Sequence, residues 1–196
     1  MRARMALVVA EQPFELREVV LSRKPVELTQ ASAKGTVPVL IDTDGCVIDE
    51  SLDIMLWALH RHDPLHWLDP QRGMIETMQW IKRCDGEFKQ HLDRYKYPDR
   101  FDIGDRCVPR SHATKFLMAL NQRLETSPCL TSPHWGLADT AIAPFVRQFA
   151  HTDRVWFASQ PWPRLQAWLE EFETSKLFKS IMAIQPPWQP DDMIFT

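Results

Sequence analysis

The sequence predicts a small α/β module followed by an all-helical module. Short β-rich and helical patches alternate up to about residue 62, which is typical of an α/β domain. Two Asp-Pro pairs between residues 62 and 70 then interrupt this pattern, because a residue that precedes proline avoids the helical conformation. Beyond them, apolar residues recur at helical spacing. We therefore predict one domain at 1–62, a linker at 63–72 and a second domain at 73–196.

The first module is predicted to begin with a helix, since Met1, Met5 and Val8 recur at helical spacing. Segments rich in β-forming residues follow, and the dipeptide Asp44-Gly45 between the last two is typical of a hairpin turn. In chain order, the expected elements are a strand at 14–21, a short helix or turn at 25–31, and strands at 37–41 and 46–48.

Amphipathic helices are predicted for the rest of the chain. The first begins at Ser51, a favourable N-cap, and carries an apolar stripe of Leu52, Met55, Leu56 and Leu59. In the second module, we expect a long helix from Met74 towards Leu92. Three more helical segments follow, marked by Phe116 to Leu124, by residues 138–150, and by the stripe from Leu165 to Phe172.

The composition excludes several classes of protein. The 196 residues are 44% hydrophobic and 25% charged, with a formal net charge of -3. No apolar stretch approaches the ~20 residues that span a bilayer, and no basic block points to nucleic acid. Four separated cysteines without a secretory leader predict free thiols in a reducing setting. We expect a cytoplasmic protein without a nucleic-acid or membrane partner.

Common catalytic motifs are absent from the sequence, including GxSxG, the P-loop, GxGxxG and HExxH. His60, His62 and His66 could in principle bind a metal. However, no thiolate lies near them in the sequence, and the adjacent prolines favour solvated linker histidines. We therefore predict no metal site.

Two features of the first module point to ligand binding. Pro38 opens a strand after a Lys-Gly turn, and a cis bond there would present the backbone of Val37 to a peptide-like ligand. Asp49-Glu50-Ser51 precedes a helix, whose free N–H groups favour a carboxylate. Ser51 can add a hydroxyl, and Glu50 can accept from an ammonium. Each feature alone is equally typical of an ordinary strand start or helix cap.

Together and in this order, the motifs resemble the glutathione S-transferase family. Lys24-Pro25, the run from Lys34 to Leu40, Asp44-Gly45 and the run from Ile48 to Ser51 are similar to its thioredoxin-like N-terminal domain. Omega-like members and their bacterial relatives are the most similar. The run LADTAIAPF at 137–145 resembles the buried helix of the family's all-α C-terminal domain. Gly136 stands where the family usually has Ser or Thr, and glycine is a tolerable N-cap.

The resemblance implies a glutathione site whose residues can be carried over position by position. Glu50 and Ser51 would hold the γ-glutamyl end of glutathione. Val37 would pair its backbone with the cysteinyl moiety, presented by a cis Pro38. Lys24 would reach the glycyl carboxylate. Glutathione would serve as a co-substrate, and no metal would be needed.

The acceptor substrate would lie between the two modules, with Arg94, Tyr95 and Tyr97 as candidates for the wall of its site. The family typically dimerises, so the resemblance also implies a homodimer. Three functions remain open for this chain. It could be a glutathione-dependent transferase or thiol-transferase acting on a small electrophile or disulfide, a non-catalytic member that binds glutathione or a regulatory partner, or a scaffold without a ligand.

The chain departs from the family at its start. Omega-like relatives begin with a strand and a Cys-Pro-Phe/Tyr-x motif, followed by a helix that opens with basic residues. Residues 1–7 are similar to that helix, so the first strand and the catalytic Cys or Ser are missing and no catalytic residue is assigned. We expect that Met1 is not the natural start. We also expect the missing strand to leave unpaired backbone groups on its neighbours, each costing about 1–3 kcal/mol if buried.

Overall fold

The computed structural model describes residues 1–68 and 74–189, which divide into two compact units. The first unit contains Met1–Pro64 and Lys179–Thr196, and the second contains Leu65–Phe178. The domain boundaries expected from the sequence remain a prediction, because residues 69–72 of the expected linker lie outside the described part.

Helices dominate both units, and the described residues contain one small sheet. The helices are α1 (Arg2–Val9), α2 (Val26–Ala31), α3 (Ser51–Arg61), α4 (Met74–Arg83), α5 (Lys89–Lys96), α6 (Cys107–Thr126), α7 (Leu137–Thr152), α8 (Arg154–Ala158), α9 (Pro163–Thr174) and α10 (Lys176–Ile181). The strands are β1 (Leu40–Ile41) and β2 (Val47–Ile48). Among the described residues, no helix is both long and apolar enough to cross a membrane.

The predicted hairpin is present in the first unit, although its strands are short. β1 and β2 are antiparallel, with Leu40 opposite Ile48 and Ile41 opposite Val47. Gly45 closes the turn with a φ of +86°, a left-handed conformation that glycine adopts without steric cost. The hairpin is tied to α3, because one carboxylate oxygen of Asp42 accepts from the indole Nε1 of Trp57 at 3.1 Å.

The core of the first unit forms where α1 packs against α3. Small and apolar residues supply both faces: Met5 and Ala6 of α1 and Met55 and Ala58 of α3 are each fully buried. A side chain the size of methionine contributes about 1.5–3 kcal/mol when it is fully buried. This packing fixes the start of α3 relative to the start of α1.

The predicted strand at 14–21 is wrong as an element of the sheet. Residues 13–20 are assigned to no helix or strand. A strand is defined by bonds to a neighbour, and here Trp188 N–H donates to the carbonyl of Glu18 at 2.8 Å while Arg23 N–H donates to that of Val20. β propensity alone therefore does not produce a strand at this position.

The second unit is helical, and α7 is its buried centre. Residues such as Leu137, Ala141, Ile142 and Val146 on α7 are almost completely buried, as the apolar run at 138–150 predicts. The predicted long helix from Met74 is interrupted. A wider turn at Cys84–Phe88 separates α4 from α5, because Gly86 has non-helical angles (φ -86°, ψ -107°).

Candidate functional site

The candidate site is built around the N-terminus of α3. Ser51 is predicted from the sequence as the N-cap but is the first helical residue. The N-cap is Glu50, with extended backbone angles and no capping bond from its side chain. The first N–H groups of a helix have no partner within the helix, and they carry a partial positive charge. This eleven-residue helix therefore presents donors suited to a carboxylate, next to the Ser51 hydroxyl.

Arg2 adds a second positive group at this helix end. Its guanidinium donates from Nη1 to Ser51 Oγ at 3.4 Å, and only 7% of the residue is exposed. The packing of α1 against α3 brings these two residues together across 49 positions of sequence. A hydroxyl that accepts from a guanidinium still has its own proton to donate to a carboxylate oxygen.

The acidic residues before α3 are held by a small polar network. Ser32, which is buried at the end of α2, donates to Asp49 Oδ2 at 2.7 Å. The ammonium of Lys34 donates to Asp49 Oδ1 at 3.0 Å and to Glu50 Oε1 at 2.7 Å. The Ser32 hydroxyl, followed by Lys34, lowers the pKa of Asp49, and the bonds to Glu50 and Asp49 raise the pKa of Lys34.

Lys24 lies beside the turn that carries Lys34. Its ammonium nitrogen is 3.7 Å from the point where a β-carbon on Gly35 would stand. Gly35 has a φ of +56°, so this turn uses a conformation that suits glycine. A β-carbon at Gly35 would stand at an ordinary van der Waals distance from this ammonium, so the φ of this residue, and not the space around it, favours glycine.

Val37 and Pro38 follow the same turn. The peptide bond between them is cis, as expected from the sequence. Val37 is exposed, and in the described residues none of the backbone–backbone hydrogen bonds outside regular elements involves it. Neither its N–H nor its C=O is used in those bonds.

The structure thus places the five expected residues, Lys24, Val37, Pro38, Glu50 and Ser51, in one compact unit. Within that unit, Lys34 in the turn at 34–38 donates to Glu50, and the ammonium of Lys24 lies near Gly35 of the same turn. The arrangement offers hydrogen-bond donors and positive charge for carboxylates, and a carboxylate for an ammonium. Their assignment as a ligand site remains a prediction.

Sequence reasoning missed Arg2 and Ser32, and it assigned no contacts to Lys34, although Lys34 lies in the recognised run from Lys34 to Leu40. The contacts of all three depend on chain segments that are distant in sequence, so helical or strand periodicity gives no signal for them. Glu50 was expected to be open to a ligand ammonium, whereas Lys34 already contacts one of its oxygens.

Other candidates from the sequence are placed elsewhere. Tyr95 is 1% exposed and packs on Phe149 with ring centroids 5.0 Å apart, so it belongs to the core of the second unit. His62 contacts the carbonyl of Ala10 at 3.3 Å. Within residues 1–68 and 74–189, no group of three or more His, Cys, Asp or Glu side chains could hold a metal ion.

Solved structures with the same fold are numerous. A ternary complex of BphK, described as a bacterial GST, has a TM-score of 0.77 and 22% identity, covering 91% of this chain and 90% of that one. A glutathione S-transferase of Methylobacillus flagellatus with GSH bound has a TM-score of 0.76 and 21% identity, covering 91% of each chain. One from Rhodospirillum rubrum has a TM-score of 0.76 and 18% identity, covering 97% and 90%. The comparison with curated proteins gives no match.

The family models agree with this fold. The glutathione S-transferase N-terminal domain matches residues 1–66, and the glutathione S-transferase C-terminal domain matches residues 110–171. They confirm the predicted order of a thioredoxin-like α/β module and an all-helical module. Since the two matches together cover more than half of the sequence in that order, the chain belongs to the glutathione S-transferase family.

Proposed function

We propose that the protein binds glutathione through the first unit and uses it in transfer or thiol-transfer chemistry. Its substrate would be a small electrophile or a disulfide. The proposal is supported above all by the N-terminus of α3, where helix N–H groups, the Ser51 hydroxyl and the Arg2 guanidinium converge. These are the groups that a ligand carboxylate requires.

The remaining residues suit the other parts of glutathione. Glu50 would accept from the α-ammonium next to the γ-glutamyl carboxylate. Val37 would bond the cysteinyl moiety through its backbone, beside the cis Pro38. Lys24, whose ammonium lies against Gly35, would attract the glycyl carboxylate. Each role assigns one charged or backbone group of the protein to one complementary group of the tripeptide. An omega-like subtype remains part of this proposal.

Two measurements on the purified chain test the proposal. Retention on immobilised glutathione, with elution by free glutathione, is expected if the site binds. Turnover of a chloronitroarene or of a glutathione mixed disulfide would then show which chemistry is used. A chain that is not retained and shows no saturable glutathione binding would exclude this function.

A non-catalytic, glutathione-binding or regulatory member is the second candidate. It is favoured by the hydrogen bonds that the two hydroxyls at the site already make. The Ser51 hydroxyl accepts from Arg2, and the Ser32 hydroxyl donates to Asp49. The Ser32 hydroxyl is thus used for structure and the Ser51 hydroxyl for ligand binding, and we assign no catalytic residue. Glutathione binding without turnover of either substrate would favour this alternative over the enzyme.

We further propose that the protein is a cytoplasmic homodimer. We place the interface on the second unit, where 75% of Ile75 on α4 and 58% of Met118 on α6 are accessible. The net charge of -3 gives no general attraction to nucleic acid. Sedimentation velocity at micromolar concentration should show a dimer, and Ile75→Glu should weaken it if α4 lies in the interface.

A further inference from the structure

Lys34 occupies a carboxylate that the proposed ligand also needs. We infer that Lys34 is a specificity-determining residue, which competes with the α-ammonium of glutathione for Glu50. The inference rests on the proposed glutathione site and adds to it a residue with an opposing effect. It is carried by one contact, the 2.7 Å bond from Lys34 Nζ to Glu50 Oε1.

The chemistry of the two amines explains the competition. Both the lysine side chain and a ligand α-ammonium present a primary ammonium with three donors and one positive charge. If the ligand ammonium bonds Glu50, the two positive groups meet on one carboxylate and repel each other. Either Lys34 leaves Glu50, or the ligand binds against its charge. In both cases the ligand ammonium gains less binding free energy from Glu50 than it would from a carboxylate without a bound lysine.

Lys34 has a second anchor that allows it to withdraw. Asp49 Oδ1 accepts from the same ammonium at 3.0 Å, and Ser32 holds the other oxygen of Asp49 at 2.7 Å. Asp49 is therefore fixed in place whether or not Glu50 is engaged. Lys34 can release Glu50 and remain paired with Asp49, so its charge stays close to the ligand.

Solvent limits the size of the effect. The side chain of Lys34 is 50% exposed and that of Glu50 is 60% exposed. Exposed ion pairs are worth little, and the upper half of their measured range of free energies corresponds to a factor of about two to five in affinity. We therefore expect Lys34 to change the preference for the ammonium by two- to fivefold.

The test compares glutathione with its des-amino analogue, which lacks only the α-ammonium, by calorimetry on the full chain. The preference for glutathione is defined as the dissociation constant of the des-amino analogue divided by that of glutathione. In Lys34→Met, the preference for glutathione should rise two- to fivefold over that of the wild type. Lys176→Met, which removes an exposed lysine of α10, controls for net charge and should leave the preference unchanged.

The outcomes separate this inference from the function on which it rests. An unchanged or lowered preference in Lys34→Met, with both ligands bound, would overturn the role of Lys34 and leave the glutathione site standing. Failure of wild type and variant to bind either ligand would overturn both. If Lys34→Met binds glutathione and the wild type does not, the competition is supported, since the wild-type lysine would then be blocking the site. Circular dichroism on each variant confirms that the fold is intact.

Discussion

Asp139 is predicted to contribute to the pH dependence of the stability of the protein. The residue is fully buried near the start of α7, and its carboxylate accepts three N–H groups. Oδ1 accepts from Leu130 N and from Trp168 Nε1, both at 2.9 Å, and Oδ2 accepts from Gly136 N at 3.3 Å. Burial nevertheless dominates, and it raises the pKa of Asp139 from 3.8 to about 6.

A raised pKa means that the folded state binds the proton more tightly than the unfolded state does. The stabilisation by protonated Asp139 is complete below pH 3.8 and is lost as the pH rises through about 6. The two pKa values differ by about two pH units, which corresponds to about 3 kcal/mol. We therefore expect the wild type to lose up to about 3 kcal/mol between pH 4 and pH 7 relative to Asp139→Asn.

The variant isolates this one group. An asparagine oxygen can keep the two donors on Oδ1, whereas its amide nitrogen faces Gly136 N–H and loses that bond. This loss costs about 1–3 kcal/mol at every pH, so it shifts the curve without changing its slope. Urea unfolding followed by far-UV circular dichroism from pH 4 to 7 measures the difference. In Trp168→Phe, which removes one donor to the carboxylate, the transition should move to higher pH.

A difference between wild type and Asp139→Asn that is constant from pH 4 to pH 7 would refute the reasoning. Asp139 would then ionise as in the unfolded chain, and its three hydrogen bonds would fully compensate for its burial.

Two further predictions concern the cap of α7 and the cysteines. Gly136→Ser should stabilise the protein by a few tenths of a kcal/mol, because Ser is a better N-cap than Gly. A β-carbon at this position would make only ordinary contacts, the nearest at 3.6 Å. Thermal unfolding measures the change, and a lowered Tm would contradict the prediction. In the folded protein at pH 8, iodoacetamide should label the exposed Cys46 and Cys107 and spare Cys84 and Cys129, the last because burial also raises the pKa of its thiol to about 12. Peptide mapping that finds Cys129 labelled as fast as Cys46 would contradict the described core.

Local pattern predicts the helices well, and it explains which parts of the fold could be anticipated. The helical start at Ser51 and the buried run of α7 follow from apolar spacing, which is a local property. The predicted stripe of α3 is only partly correct, since Met55 and Leu59 are buried but Leu52 and Leu56 are not. The segment at 14–21 is different, because a strand needs a partner and β propensity cannot supply one. The break at Gly86 also escaped prediction, since apolar periodicity continues on both sides of it.

The candidate site divides in the same way. Ser51 and Glu50 could be found from the sequence, because a polar residue at a helix start has a direct chemical meaning. Arg2 could not be found, since its contact with Ser51 depends on the packing of α1 against α3. Lys34 lay in a recognised motif, but its bonds to Asp49 and Glu50 are set by the path of the turn at 34–38. Side-chain contacts between distant segments are the part that sequence pattern does not determine.

The central claim is that the N-terminus of α3 holds the γ-glutamyl end of glutathione. Calorimetry of glutathione binding to the wild type, Ser51→Ala and Glu50→Gln tests it most directly, with the exposed Ser111→Ala as a matched control. We predict that Ser51→Ala weakens binding by about 1–3 kcal/mol, the cost of losing one hydrogen bond to a charged group, while Ser111→Ala binds like the wild type. Glu50→Gln should weaken binding by up to about 1 kcal/mol, because the Glu50 side chain is 60% exposed. Wild-type affinity in both site variants, with the fold intact, would contradict the claim and remove glutathione from this end of the helix.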